Sequence, residues 1–198
     1  SWLSDTGKPG GFHRASRSYG DSVPWSVIEN VPPIMNEVER LQPELMIELG
    51  VGFGKFGTLC REVLDAKYGR CAKNQWQRVI YGVEAFTSYR NPVWSAYDAV
   101  DTTDFSKIDI HGYDLVLMVD SFEHLDPDIG REFLRGLLRR NKNVIISVPN
   151  GVCEQGAVNG NEFETHRATY YPNSFDEYGA KVLHLGYCIV ASISGLSV

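Results

Sequence analysis

Short apolar runs alternate with amphipathic segments along most of the chain, and this pattern predicts its secondary structure. The runs typical of buried β-strands lie at 45–50, 78–84, 97–101, 114–119, 143–148, 181–185 and 187–193. Helical patterns lie near 54–67, 87–95, 127–140 and 173–179. Strands that alternate with helices predict an α/β fold, with a mostly parallel sheet covered on both faces. Because only Gly186 separates the last two runs, they should form a C-terminal antiparallel hairpin.

The first part of the chain has a different character. Residues 1–22 are rich in glycine, serine and polar residues without periodicity, which predicts an arm or loop. A short amphipathic helix is expected over about 24–41, interrupted near Pro32 and Pro33. We therefore divide the chain into an N-terminal arm with a helix (1–44) and one α/β domain (45–198).

Composition narrows the class of protein. A chain of 198 residues usually forms one domain, and a net charge of −6 argues against a nucleic-acid partner. The basic residues near 135–142 have helical spacing and fit a solvated helix end better than an RNA-binding patch. With no apolar run long enough for a membrane span and no signal-like segment, we expect a cytoplasmic protein. The four cysteines lack Cys-x-x-Cys or zinc spacing, which indicates reduced thiols.

A glycine-rich segment follows the first predicted strand. Gly50, Gly52, Gly54 and Gly57 allow a tight strand-to-helix turn and a close approach of a ligand to the backbone. The next helix would present free N–H groups to that ligand. The spacing from Gly52 to Gly57 also matches the dinucleotide fingerprint, which alone is a weak signal.

Two acids distinguish this turn from a dinucleotide site. Glu48 would lie inside the first strand, where a carboxylate is costly without a partner, and a ligand ammonium would supply one. Glu84 ends the second strand 32 positions after Gly52, whereas the dinucleotide pattern expects an acid after about 20. A polar insertion around Gly69–Gln77 could explain this delay.

Glu48, Gly50, Gly52 and Gly54 resemble the acid-x-Gly-x-Gly-x-Gly motif of class I S-adenosylmethionine (SAM)-dependent methyltransferases. The resemblance extends over about residues 45–193. It implies a doubly wound, Rossmann-like sheet of seven strands, mostly parallel, with a C-terminal antiparallel hairpin. It also implies SAM as the cofactor.

The residues that follow the second and third strands are candidate cofactor ligands. In the segment Glu84-Ala85-Phe86, the carboxylate could accept both ribose hydroxyls and the aromatic ring could flank the base; Glu84 could instead cap the next helix. In the resembling family an acid after the third strand meets the adenine amino group. Asp101 matches that position better than Asp104, which could cap a turn.

The segment Asp120–Leu125 resembles the end of strand four in the same family, which often carries a Glu-His-Leu-like triplet. The resemblance places Asp120, Glu123 and His124 at the cleft beside the donor sulfonium. A structural interpretation is also open, because Asp120 and Glu123 have capping-box spacing and His124 could bind a backbone carbonyl.

After the fifth strand, a long polar segment carries Asn150, His166 and Arg167. With its Pro-Asn-Gly, Gly-Asn and a histidine before Tyr170, it resembles small type-11-like methyltransferases of bacterial sugar and cell-surface gene clusters. Long loops in compact domains are usually functional or mobile. An ordered surface loop in which His166 is satisfied locally is the alternative.

These features predict SAM-dependent methyl transfer to a small polar acceptor, with a hydroxyl as the expected methyl-accepting group. His124 and His166 are the candidate bases, Glu123 or Glu164 could orient them, and Asn150 and Arg167 could bind the acceptor. No ligand spacing predicts a metal site. A NAD(P)-dependent oxidoreductase, which lacks a recognisable Tyr-x-x-x-Lys pair here, and a non-catalytic cofactor-binding subunit are the alternatives. The oligomeric state is left open.

Overall fold

The computed structural model describes residues 26–196, so the predicted arm over 1–22 lies outside the described residues. The described part of the chain forms three α-helices: α1 (Val31–Leu41), α2 (Lys55–Leu64) and α3 (Pro127–Arg140). It also forms seven strands: β1 (Leu45–Leu49), β2 (Val79–Val83), β3 (Ala99–Asp101), β4 (Leu115–Val119), β5 (Asn143–Pro149), β6 (Lys181–Leu185) and β7 (Cys188–Ser194). Short 3₁₀ turns occupy much of the remaining chain.

The strands form one sheet in the order β3-β2-β1-β4-β5-β7-β6. Strands β1 to β5 are parallel to one another, and β7 runs antiparallel to both β5 and β6. This topology confirms the predicted doubly wound, mostly parallel sheet with a C-terminal hairpin. The strand order reverses between β1 and β4, and such a switch point opens a crevice for ligands at the carboxyl ends of the strands.

Each face of the sheet has its own apolar layer. Helices α1 and α2 cover one face, where Ile34, Val38 and Phe56 pack against the strands. Helix α3 covers the other face through Leu134 and Leu137. Both faces of the central strands are therefore buried, which explains why these strands appear in the sequence as continuous apolar runs.

Three predicted helices differ in the structure. The helix predicted over 24–41 begins at residue 31, because Pro32 and Pro33 suit its first turn rather than interrupting it. The pattern at 87–95 folds as two 3₁₀ turns, and Asn91 caps the second turn by accepting a hydrogen bond from Val93 N. The pattern at 173–179 contains one 3₁₀ turn that stops at Gly179, whose φ is 66°. None of the described helices is long and apolar enough to cross a membrane.

Candidate functional site

A cavity of about 950 Å³ opens at the carboxyl ends of β1, β2, β4 and β5. Gly50 follows β1, Glu84 follows β2, Asp120 follows β4, and Pro149 ends β5; all four line the cavity. Ser26 and Val27 line it from the segment before α1, and residues of the loop after β5 line it as well. The cavity therefore lies where the topology of the sheet predicts a ligand.

The glycine turn exposes its backbone to this cavity. Gly52 has φ of 51°, and a Cβ atom built at Gly52 would meet no heavy atom within 4 Å. Gly52 N donates a hydrogen bond to Glu84 Oε2 (2.8 Å), and Phe86 N donates one to Glu84 Oε1 (2.9 Å). Glu84 thus joins the glycine turn to the end of β2, while its remaining lone pairs can accept hydrogen bonds from a ligand. Burial raises the pKa of Glu84, and the two N–H donors oppose that shift.

Glu48 is 2% exposed and lines the cavity. Tyr97 Oη donates a hydrogen bond to Glu48 Oε2 (2.5 Å), and Gly57 N donates one to Tyr97 Oη (3.1 Å). Burial raises the pKa of Glu48 to about 8, although the Tyr97 hydroxyl and the backbone at Gly57 favour the ionised form. Glu48 is therefore largely protonated at neutral pH until a cation approaches it.

Because Gly57 has no side chain, the Tyr97 ring can pack against it and reach Glu48. A side chain at position 57 should therefore destabilise the protein. A Cβ atom at position 57 would lie 2.1 Å from Tyr97 Cζ, so Gly57→Ala must displace the buried ring. We expect the substitution to lower the free energy of unfolding by about 1–3 kcal/mol, the usual cost of overpacking. Urea denaturation followed by circular dichroism would measure this change.

Gly136 in α3 provides the matched control, because it is also a helical glycine. A Cβ atom there approaches only the flexible end of Arg140, at 3.2 Å. Gly136→Ala should therefore be neutral, or stabilising by up to about 1 kcal/mol through helix propensity. Equal stability of the two alanine variants would contradict the role assigned to Gly57.

Asp120 occupies the turn after β4 with a φ of 48°, which is uncommon for a residue other than glycine. Ser147 Oγ donates a hydrogen bond to its Oδ1 (2.9 Å), and Asn30 Nδ2 donates one to its Oδ2 (3.3 Å). Burial raises the pKa of Asp120, while the hydrogen bond from Ser147 opposes that shift. Asn30, in the segment before α1, therefore helps to hold the Asp120 carboxylate at the cavity lining.

Glu123, His124 and His166 form a cluster at the cavity wall. The His124 and His166 ring centroids are 5.1 Å apart, and His166 Nε2 lies 3.9 Å from Glu123 Oε1. His166 Nδ1 is 2.6 Å from the carbonyl oxygen of Cys153, and because a carbonyl oxygen only accepts, Nδ1 carries the proton of this hydrogen bond; in the neutral imidazole, Nε2 then keeps a lone pair. Burial lowers the pKa of His124 to about 4, assisted by repulsion from His166, so its imidazole is neutral.

The loop after β5 reaches this cluster through backbone hydrogen bonds. Arg167 N and Ala168 N both donate to the carbonyl oxygen of Glu123, at 2.9 and 3.1 Å. His166 N donates to the carbonyl oxygen of Gln155 (2.9 Å). These bonds place His166 beside Glu123 and His124, and Arg167 also lines the cavity.

The predicted site residues divide into two groups by position. The cavity lining includes the predicted residues Glu48, Gly50, Gly52, Glu84, Ala85, Asp120, Glu123, His124, His166 and Arg167. Gly54, Phe86, Asp101 and Asn150 do not line the cavity. Gly54 precedes α2, the Phe86 ring packs edge-to-face on Tyr89, Asp101 accepts a hydrogen bond from Thr103 Oγ1, and Asn150 Nδ2 donates to Gly186 O.

The cavity also contains residues that sequence reasoning did not place there. Asp104 and Phe105 line it near the end of β3, where Asp101 and Phe86 were expected to meet the base. Asp104 also caps a turn by accepting from Ser106 N (3.0 Å), as the alternative interpretation of the sequence proposed. The acid Asp104 followed directly by the aromatic Phe105 is visible in the sequence, but the prediction assigned the adenine-binding acid to Asp101 and the aromatic residue to Phe86.

Comparison with known proteins yields a match only at the level of structure. No protein-family model and no curated protein sequence matches the chain. The methyltransferase domain of bacterial CtHen1 superposes with a TM-score of 0.56 at 18% identity, covering 83% of this chain and 97% of that domain. DhpI in complex with SAH gives a TM-score of 0.61 at 12% identity, covering 84% of both chains.

A third similar structure is the magnesium protoporphyrin IX methyltransferase ChlM from Synechocystis PCC 6803 with bound SAM. Its TM-score is 0.56 at 11% identity, covering 85% of this chain and 79% of ChlM. At such low identities the likeness concerns the fold alone. The chain has the fold of the SAM-dependent methyltransferases.

Proposed function

We propose that this protein transfers a methyl group from SAM to a hydroxyl group of a small polar acceptor. One observation carries the proposal: a single cavity joins two chemically different walls. The first wall consists of the open glycine backbone with Glu48 and Glu84, and the second holds Glu123, His124 and His166. Such an arrangement fits a bound cofactor on one side and a reacting hydroxyl on the other.

The residues of the first wall fit SAM in charge and shape. The uncovered backbone at Gly52 leaves room for close approach, and the Glu84 carboxylate can accept hydrogen bonds from the ribose hydroxyls. Glu48 can pair with the ammonium of the methionine part, which would compensate the cost of its burial. Phe105 and Asp104 lie where the adenine would be expected. When bound, SAM supplies a methyl group that is already activated by its sulfonium.

The second wall supports acceptance of a methyl group by oxygen. When the O–C bond forms and the S–C bond breaks, the hydroxyl proton must leave. Without a further group at the site, His166 Nε2 is the natural proton acceptor, because Nδ1–H is already donated to the carbonyl of Cys153. Arg167 lines the same wall and can donate hydrogen bonds to a polar acceptor.

Isothermal titration calorimetry with SAM tests the proposal directly. We expect one SAM molecule per chain and no comparable binding of NAD(H) in a thermal-shift assay. Binding of NAD(H) in place of SAM would favour an oxidoreductase and overturn the proposal. If SAM binds but no member of a hydroxylic acceptor library is methylated, a non-catalytic cofactor-binding subunit becomes the better interpretation.

We expect substitutions of Asp104 and of Asp101 to change the affinity for SAM by different amounts. Asp104 lines the cavity, whereas Asp101 is exposed and lies outside the lining. If Asp104 accepts a hydrogen bond from the adenine amino group, Asp104→Asn should weaken SAM binding about 10- to 150-fold, the effect of losing one charge-assisted hydrogen bond. Asp101→Asn should change the affinity less than about twofold.

Calorimetric titration of both variants with SAM separates these positions. In Asp104→Asn the new amide oxygen can still accept the hydrogen bond from Ser106 N, so the turn should remain intact. A larger effect at position 101 than at position 104 would support the sequence prediction and contradict the placement of the base beside Asp104.

A further inference from the structure

The cluster of Glu123, His124 and His166 has the composition of a metal site. Each residue offers one ligand atom, and these atoms all lie within 4.8 Å of one another. Two imidazole nitrogens and one carboxylate oxygen are the ligand set of several zinc and iron centres that keep open coordination positions. Hard cations such as Mg²⁺ and Ca²⁺ prefer all-oxygen sets.

The Glu123 side chain provides an independent indication of a cation-binding site. Its side chain is 1% exposed, and its buried Oε2 has no hydrogen-bond partner among the described residues. Two further acids, Asp120 and Glu164, line the same cavity, so this part of the cavity favours a cation. A buried carboxylate without a partner is costly, and a divalent cation would neutralise it.

The two imidazoles are held in the manner of metal ligands. Metal-binding histidines usually donate their second ring nitrogen to a carbonyl or carboxylate, which orients the ligand nitrogen. His166 makes this bond from Nδ1 to the carbonyl oxygen of Cys153 (2.6 Å). His124 has carbonyl oxygens near both nitrogens, of Thr165 at 3.3 Å and of Asp120 at 3.2 Å. Because a neutral imidazole carries one N–H, one nitrogen of His124 keeps its lone pair.

We propose that Glu123, His124 and His166 bind one divalent first-row transition-metal ion. Ligand atoms around such an ion are about 3–3.5 Å apart, given metal–ligand distances near 2.1 Å. The separation of 3.9 Å between His166 Nε2 and Glu123 Oε1 is therefore close to what binding requires. Side-chain movements of about 1 Å or less would complete the site.

The metal site deepens the proposed methyl transfer, and this consequence rests on that function. The three ligands lie at the cavity wall, so the open coordination positions of the metal can take the hydroxyl oxygen of the acceptor. Coordination lowers the pKa of a hydroxyl, and the proton can then leave to water. His166 Nε2 then serves as a metal ligand and orients the acceptor through the metal.

Metal binding can be measured without knowing the acceptor. The full chain would be treated with a chelator, dialysed and titrated with Zn²⁺, Mn²⁺ or Mg²⁺ by calorimetry. We expect one equivalent of Zn²⁺ and of Mn²⁺ per chain, with tighter binding of Zn²⁺, and much weaker binding of Mg²⁺. Glu123→Gln and His166→Ala should each lower the Zn²⁺ affinity by about 100-fold or more, since loss even of second-shell partners costs 10- to 100-fold.

The structure supplies a matched control at a second cluster, formed by Glu29, His184 and Cys188. None of these three residues lines the cavity, and Glu29 Oε1 already accepts a hydrogen bond from Cys188 N (2.8 Å), so His184→Gln should leave Zn²⁺ binding at the cavity unchanged. Loss of binding in His184→Gln with normal binding in Glu123→Gln would overturn the proposal, as would absence of Zn²⁺ and Mn²⁺ binding by the parent.

Thermal denaturation provides a second measurement of metal binding, for the case that a variant is too unstable for calorimetry. With excess Zn²⁺ the parent should melt at a higher temperature than in chelator, whereas Glu123→Gln should show no such shift. SAM titration in chelator provides the separate test of the proposed function. SAM binding without metal binding overturns only the metal site, and metal binding without SAM binding overturns only the cofactor assignment.

Discussion

Replacing Glu84 by alanine is expected to weaken SAM binding by about 100-fold or more. The variant loses the carboxylate oxygens assigned to the ribose hydroxyls, and a hydrogen bond to a charged group contributes about 1.5–3 kcal/mol. Two such bonds correspond to at least a 100-fold change in the dissociation constant. The glycine turn also loses support, because Gly52 N and Phe86 N both donate to Glu84. Calorimetric titration with SAM measures the effect.

Glu84→Gln separates the ligand contacts from the structural role. Its amide oxygen can accept one of the two backbone hydrogen bonds, but its NH₂ group faces the other donor. We expect an intermediate loss of affinity, of about tenfold. Circular dichroism would establish that both variants fold. A SAM affinity of Glu84→Ala equal to that of the parent would exclude Glu84 from the cofactor site.

Much of the fold could be predicted because strands that are buried on both faces of the sheet appear in the sequence as continuous apolar runs. Strand β4 is buried at every position and appears as the unbroken apolar run at 115–119, within the predicted strand at 114–119. The helix predicted over 87–95 was wrong. Pro92 lies within this segment and the Asn91 side chain caps the turn, so local hydrogen bonding favours 3₁₀ turns over an α-helix. Periodicity alone does not distinguish such turns from a helix.

The residues that we propose for cofactor binding were easier to predict from the sequence than those that we propose for acceptor binding. Glu48, Gly52 and Glu84 adjoin strand ends, so the parallel sheet brings them to one edge. Tyr97 was missed as the partner of Glu48 because its position depends on a close approach to Gly57, 40 positions away in sequence. No local pattern reports such a contact.

The proposed acceptor side of the cavity depends on how the loop after β5 packs against Glu123. His166 meets Glu123 only because Arg167 N and Ala168 N bond to the carbonyl of Glu123. Such loop contacts are set by tertiary structure and leave no periodic signal. The sequence therefore indicated both histidines as candidates without indicating the cluster, and spacing alone gave no reason to predict a metal site.

Glu48 is expected to make the stability of the ligand-free protein depend on pH. Its pKa is about 8 in the folded protein, against an ordinary value of 4.5. Because the folded state holds this proton more tightly than the unfolded state, the contribution of Glu48 to stability is fully present below pH 4.5. It is lost as the pH rises through 8, at a slope of up to about 1.4 kcal/mol per pH unit. Urea unfolding of the parent and of Glu48→Gln between pH 5 and pH 9 measures the difference.

The free energy of unfolding of Glu48→Gln minus that of the parent should therefore increase by several kcal/mol across this range. Glu62→Gln, at an exposed position of α2, provides the control and should follow the parent at every pH. Parallel profiles for Glu48→Gln and the parent would contradict the buried, protonated state of Glu48.

The same proton links Glu48 to the cofactor. If the ammonium of SAM pairs with ionised Glu48, binding near pH 6.5 must release up to one proton per chain, because free Glu48 is protonated there. Calorimetric titrations in buffers with different enthalpies of ionisation count that proton. Glu48→Gln should bind SAM more weakly, and the number of protons released should fall by about one. Equal proton release by the variant and the parent would place the ammonium elsewhere in the cavity, since other buried acids such as Glu84 and Asp120 are present in both proteins.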